Sequence, residues 1–373
     1  PQLLWKIDKS GDFAELGFTF SDPRVASVNL GSGPQPVVIF AGGYDLNKDL
    51  RGGVGTDDVE GNALFVVDAR TGALIWKARR GTGSPTSQIF EHPGLLDSIP
   101  STVGIGDTDG NGLIDRVVVG DTGGNVWRAD LASTDTSQWK LSLLASLGRH
   151  AESGVENDRR FFHRADLVQA QDANGPFDAV LLGSGDREDP LDVGGVTTNY
   201  LYMLKDRNIA AGAGVDTGVT AASLGDVTDN CLQVGPECAT DLTYGWKLRL
   251  EHGGEKALST PLTFAGTVFF TTYVPVSATN LCGPAEGVGR LYALALQDAT
   301  SVINYDTTDD DLDALGVPTS TSDRSTQLNS PGIPSEVVAV PPNMVLRPDL
   351  QLEILDVDTR WRTFWYLQED ADL

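Results

Sequence analysis

The sequence predicts an all-β fold, a β-propeller of about seven blades with inserted loops, and three observations carry that reading. Short runs rich in Val, Ile, Leu, Phe and Tyr recur along the chain, each about one strand long. Turn formers separate them: the 373 residues include 42 glycines and 19 prolines. No stretch keeps the 3.6-residue period of a long amphipathic helix.

Taken in order, the β-type runs are Pro36–Phe40, Ala63–Val67, Val117–Val119, Ala179–Leu182, Leu201–Leu204 and Thr267–Tyr273. They share a loose repeat, in which Gly-Gly or Gly-Asp closes one strand and an Asp-containing turn closes the next. Gly42-Gly43 leads to Gly61–Asp68, Gly120-Asp121 to Gly124–Asp130, and Gly183–Asp186 to Asn199–Asp206. A weaker copy runs from Gly287 to Leu294. Repeated antiparallel units of this kind suit radial blades, with a pair of two-sheet sandwiches as the runner-up. Asp45–Asp58, Arg149–Arg160, Asn208–Asp241 and Asp306–Ser330 are expected to be inserted loops. The last is expected to be a solvated one, because it is rich in Asp, Ser and Thr.

Asp and Glu number 52 against 27 Lys and Arg, a formal net charge of −25. Such a surface repels phosphate backbones and anionic headgroups, so nucleic acid is not an expected partner. No apolar run approaches the ~20 residues that span a bilayer, and no basic-then-apolar leader opens the sequence. The expectation is a single propeller domain over residues 1–373, the C-terminal fragment of a longer secreted protein. Cys231 and Cys238 bracket Gly235-Pro236 and could close a small disulfide loop, which leaves Cys282 over. With no Cys-x-x-Cys and four scattered histidines, a zinc site is not expected.

The segment Asp107-Thr108-Asp109-Gly110-Asn111-Gly112-Leu113-Ile114-Asp115 carries a calcium-loop pattern. Asp107, Asp109 and Asn111 stand at positions 1, 3 and 5. Gly112 stands at position 6, where the chain must turn sharply. The Leu113 carbonyl and Asp115 follow at positions 7 and 9. Three carboxylates, an amide and a carbonyl are hard oxygen donors that suit calcium, and magnesium's strict octahedron fits less well. Position 12 is Val118 and a β-branched run follows, so the loop is expected to exit into a strand, with Asp115 as its last side-chain ligand. Asp45-Leu46-Asn47-Lys48-Asp49 is a second, poorer candidate. Leu50 replaces the glycine, and Lys48 brings a positive charge.

Enzyme signatures are sparse. Gly183-Ser184-Gly185 lacks the strand-to-helix setting of a nucleophile elbow. His163 beside Asp166 reads better as a packed strand-end histidine than as half of a dyad. Asp68-Ala69-Arg70-Thr71-Gly72-Ala73-Leu74-Ile75-Trp76 has the Asp-x-x-Thr-Gly-x-x-x-Trp turn of quinone-cofactor dehydrogenase propellers. One full copy and no Cys-Cys pair make Trp76 a packing residue between blades. An integrin-like calcium-stabilised propeller would need several calcium loops, and this sequence offers one good one.

Several blocks, in order, resemble the C-terminal β-propeller domain of the PilY/PilC family of type IV pilus biogenesis factors and tip adhesins. They include Gly42–Asn47, Gly61–Trp76, Ser98–Ser101, Gly183–Leu191, Gly245-Trp246, Phe270–Pro275 and Gly332–Ser335. The strongest runs from Gly106 to Leu131. The resemblance implies a modified seven-bladed β-propeller with one calcium loop inserted in a blade. It implies a non-enzymatic protein at the extracellular or outer-membrane surface, at the pilus tip. Its expected partners are pilus tip or minor pilin proteins, and a host or surface receptor. Asp107, Asp109, Asn111, Leu113 and Asp115 carry over as ligands of calcium, whose occupancy regulates pilus extension against retraction.

Overall fold

The computed structural model describes residues 3–49, 54–231, 240–277, 286–306 and 321–355. Its secondary structure is five β-sheets with short 3-10 turns, and no α-helix occurs among the described residues. The sheets follow one another along the chain. The first joins Arg24–Asn29, Pro34–Ala41, Ala63–Asp68, Leu74–Arg80 and Ile89–His92 in sequence order. The second joins Gly104–Gly106, Arg116–Gly120, Asn125–Asp130 and Lys140–Ser146. The third is built on Asp166–Asp172, Gly175–Gly183, Tyr200–Asp206 and Gly245–Arg249, with Gly225–Asp226 paired parallel at its edge. The fourth centres on Thr267–Val274, Val288–Ala295 and Ser325–Pro331, and the fifth on Val338–Val340, Met344–Leu346 and Leu352–Ile354.

Alternation along the strands explains how the sheets stack. Successive side chains point to opposite faces of a strand. Val117 and Val119 face a core shared with Ile39, Val66 and Trp76 of the first sheet, while Val118 faces Val180 and Leu182 of the third. Leu181 turns the other way, toward Val268 and Phe270 of the fourth sheet. Phe269 in turn packs with Leu291 and with Val345 of the fifth. Each inner sheet thus buries both faces against its neighbours in chain order, which is how propeller blades pack. It also explains why the central strands read as unbroken apolar runs. The outer face of the first sheet is covered by Leu16 with Trp5, Ile7 and Phe13.

Trp76 sits edge-on to Trp139 with ring centroids 6.0 Å apart, bridging the first and second sheets as the sequence predicts. Its Asp-x-x-Thr-Gly turn is made by Asp68, whose Oδ1 accepts the backbone N–H groups of Arg70 at 2.9 Å and Thr71 at 2.8 Å. A polar seam lies between the second and third sheets. Buried Arg116 pairs with Asp178, and buried Arg128 pairs with Asp206 at 2.5 Å and Asp130 at 2.7 Å.

The structure corrects two expectations of inserted loops. Within Asn208–Asp241, Gly225–Asp226 is a strand that pairs parallel with Trp246 and Lys247. Residues 325–330, assigned to the last inserted loop, lie in strand Ser325–Pro331 against Val288–Ala295. Only Leu328 of that strand is buried, so its polar sequence follows from its edge position. Residues 307–320 of the same stretch lie outside the described residues. Cys231 is disulfide-bonded. Cys238 and Cys282 both lie outside the described residues.

Candidate metal site

The loop from Asp107 to Asp115 joins two antiparallel strands, with Gly106 opposite Arg116, so it exits into a strand as expected. Gly110 and Gly112 have φ of +77° and +83°. A β-carbon at either would meet no atom within 4 Å, so the backbone sign, and not crowding, calls for glycine. These turns fold the loop back on its own carboxylates. Asp107 Oδ1 accepts from the Gly110 and Asn111 backbone N–H groups at 2.8 and 3.1 Å, and its Oδ2 from Gly112 N at 2.7 Å. Asp109 Oδ1 accepts from Asn111 N at 3.1 Å, and its Oδ2 from Asn111 Nδ2 at 2.9 Å. Asn111 Oδ1 accepts from Leu113 N at 2.8 Å.

Asp115 is held differently. It is 5% exposed, and its carboxylate accepts from Thr108 Oγ1 at 2.8 Å. Its backbone bonds Gly106 O at 3.1 Å and Leu131 N at 2.8 Å. Burial raises its pKa above the usual carboxylate value and Asp109's charge adds to that, against the Thr108 hydrogen bonds and the Arg116 charge. The outcome is three carboxylates, from Asp107, Asp109 and Asp115, with one oxygen each within 4.8 Å of one another. Such an all-oxygen donor set fits a hard divalent cation. Neighbouring sheets fix the loop: Ile114 N donates to Ser27 O at 2.8 Å, and Gln169 Nε2 to Thr108 O at 2.6 Å.

The second candidate forms no such cluster. Leu46–Asp49 is a 3-10 turn, and the Asp45 carboxylate is taken up by the backbone N–H groups of Asn47 and Val59, each at 2.8 Å. Asp49 accepts from the Tyr44 hydroxyl at 2.7 Å. Lys48 is fully buried and ion-paired to Asp97 at 2.5 Å and Asp58 at 3.3 Å. Asp97 also binds Arg149 at 2.6 Å and His150. Burial alone would raise Asp97, but the His150 hydrogen bond and the Lys48 and Arg149 charges hold it below the usual range. His163 and Asp166 form no dyad: His163 Nε2 is buried without a partner, and Asp166 accepts from Thr263 N at 2.8 Å. Sequence reasoning missed both the Lys48 hub and the bond from Thr108 to Asp115. The first joins residues distant in sequence; the second was readable only as a hydroxyl inside the loop.

No protein-family model matches the chain. Over 309 residues it is 28% identical to the type IV pilus biogenesis factor PilY1 homolog of Xylella fastidiosa, covering 78% of this chain and 19% of that protein. Over 130 residues it is 32% identical to the type IV pilus biogenesis factor PilY1 of Pseudomonas aeruginosa, covering 35% of this chain and 9% of that one. The chain thus spans less than a fifth of the length of these relatives. The crystal structure of the P. aeruginosa PilY1 C-terminal domain matches it with a TM-score of 0.64 at 17% identity, over 95% of this chain and 76% of that one. In sequence this chain is similar to the PilY1 type IV pilus biogenesis factors, and its fold is the β-propeller fold of the PilY1 C-terminal domain.

Proposed function

We propose that this chain is a calcium-binding, non-enzymatic module of a type IV pilus biogenesis factor or tip adhesin. In this reading calcium occupancy sets pilus extension against retraction and surface attachment. The convergence of the Asp107, Asp109 and Asp115 carboxylates supports it most directly. Asp107, Asp109, Asn111, the Leu113 carbonyl and Asp115 would hold the ion, which supplies the positive charge that three crowded carboxylates lack. The partners would be tip or minor pilin proteins and a surface receptor, met outside the cell at the pilus tip. No helix among the described residues is long and apolar enough to cross a membrane.

The test is a strain lacking the parent gene, complemented with full-length protein carrying Asp109→Ala. Calorimetry on the chelator-stripped chain is expected to show one calcium site of about micromolar affinity, absent from the variant. In calcium-replete medium, the variant strain is expected to carry fewer surface pili than wild type and to twitch less. Normal piliation in the deletion strain would remove the pilus reading. Wild-type piliation by a variant that no longer binds calcium would remove the regulatory one.

A further inference from the structure

A pocket of 540 Å³ opens where four of the five sheets begin, beside the second strand of the remaining one. Phe20, Thr102, Phe162, Thr260 and Glu336 line it. They stand two to four residues ahead of Arg24–Asn29, Gly104–Gly106, Asp166–Asp172, Leu262–Phe264 and Val338–Val340, the opening strand of each sheet or, in the fourth, its second strand. Equivalent positions from successive sheets therefore meet at one point, and the leading strands converge there. Close packing confirms this convergence: a β-carbon on Gly104 would lie 2.6 Å from Ala165 O, just before the leading strand of the third sheet.

The lining has a definite chemistry. Tyr44 and Phe162 stand with ring centroids 5.7 Å apart and supply an aromatic wall. His163 lines the same pocket, and its Nε2 is buried without a hydrogen-bond partner. Burial and the nearby Arg187 charge hold this imidazole neutral, lowering its pKa to about 4, so it offers a hydrogen bond and no charge. Among the described residues, neither Arg164 nor Arg187 has a hydrogen-bond or ion-pair partner. In a chain of net charge −25, where Arg116, Arg128, Arg149 and Arg160 are all paired, Arg164 and Arg187 bring two unpaired guanidinium groups to one pocket.

We propose that this pocket binds a ligand with one carboxylate joined to an apolar or aromatic group, the carboxylate meeting Arg164 and Arg187 and the apolar part lying on Tyr44 and Phe162. Guanidinium groups recognise carboxylates with charge-assisted hydrogen bonds, and the volume is that of an ordinary small-ligand site. Asp22, Asp49, Glu188 and Glu336 also line the pocket, Asp49 being engaged by the Tyr44 hydroxyl at 2.7 Å, and these four carboxylates disfavour a polyanion and limit the ligand to a single carboxylate at the two guanidinium groups. Two sources carry this chemistry: a free small acid, and the C-terminal carboxylate of a polypeptide. The inference is independent of calcium.

Titration of the chain with 3-phenylpropionate, with the peptide Ala-Ala-Phe and with the amides of both, followed by calorimetry, is the test. At least one free acid is expected to bind saturably, and its amide at least about tenfold more weakly. Arg187→Gln, at an exposed position, and Arg164→Gln are each expected to weaken the acid by a similar factor while thermal unfolding stays unchanged. Tighter binding of the peptide marks a polypeptide terminus as the occupant, and tighter binding of 3-phenylpropionate a free acid. Absence of saturable binding by both acids, equal binding of acid and amide, or undiminished binding by the double arginine variant would overturn the proposal.

Discussion

At the scale of single residues, two clusters of charge stand out: the three carboxylates of the Asp107–Asp115 loop and the buried hub of Lys48, Asp58, Asp97 and Arg149. Asp107, Asp109 and Asp115 were identified because nine consecutive positions carry the pattern, and the structure brings their oxygens together. The Lys48 hub was not legible, because Lys48, Asp97 and Arg149 stand about 50 residues apart in turn and only the fold unites them. Lys48 in fact counted against a metal at Asp45–Asp49, and the structure gives its charge an internal use. This hub yields a stability prediction. Asp97 is completely buried, and replacing it by Asn removes the carboxylate that Lys48 and Arg149 share, leaving, among the described residues, Lys48 with only the Asp58 carboxylate at 3.3 Å and Arg149 with only that of Asp57 at 3.0 Å. Asp97→Asn is expected to cost about 3–5 kcal/mol at pH 7, measured by urea unfolding. The carboxylate's folded pKa lies below its unfolded value of 3.8. Its stabilisation is therefore present above pH 3.8 and lost as pH falls through the lower folded value, so wild type and variant converge in acid. A variant within about 0.5 kcal/mol of wild type at pH 7 would show the hub to be dispensable.

At the scale of elements, strand runs were readable wherever both faces are buried, as in Ala63–Asp68, Arg116–Gly120 and Tyr200–Asp206. Ser325–Pro331 escaped notice because an edge strand held by backbone pairing needs few apolar side chains. The calcium-loop hairpin has its own consequence. The proposed ligands span nine residues, while the cores on either side are built from distant strands. Without a cation, repulsion among three carboxylates is expected to loosen the loop and fray Val117–Val119 while the cores persist. Hydrogen exchange with and without calcium reads this directly. Loss of protection confined to residues 104–125 is expected, and loss across the chain would make calcium a global structural requirement.

At the scale of the whole molecule, the repeat read from Gly-Gly and Asp-containing turns corresponds to sheets that pack face to face in chain order. The sequence did not reveal that the approaches to their leading strands share one pocket, because Phe20, Thr102, Phe162 and Glu336 follow no common motif. The quinone-dehydrogenase alternative makes a whole-molecule prediction. The Asp68 turn is accounted for by its own hydrogen bonds and by Trp76 packing. Supplied with a quinone cofactor and an artificial electron acceptor, the chain is expected to oxidise no alcohol or sugar. Turnover rising with cofactor loading would overturn the non-enzymatic reading.

The exposure of Asp109, Gly110, Asn111 and Gly112 also sets a clock. An ion reaches such a loop without waiting for the protein to open, so association with an acidic surface would run near 10⁸ M⁻¹ s⁻¹, about the steered-encounter limit. With a dissociation constant of about a micromolar, the ion would leave roughly 100 times a second and stay about 10 ms. Burying the loop deeper would lengthen that dwell. At the surface, its occupancy would follow the calcium of the moment and keep no memory of an earlier concentration.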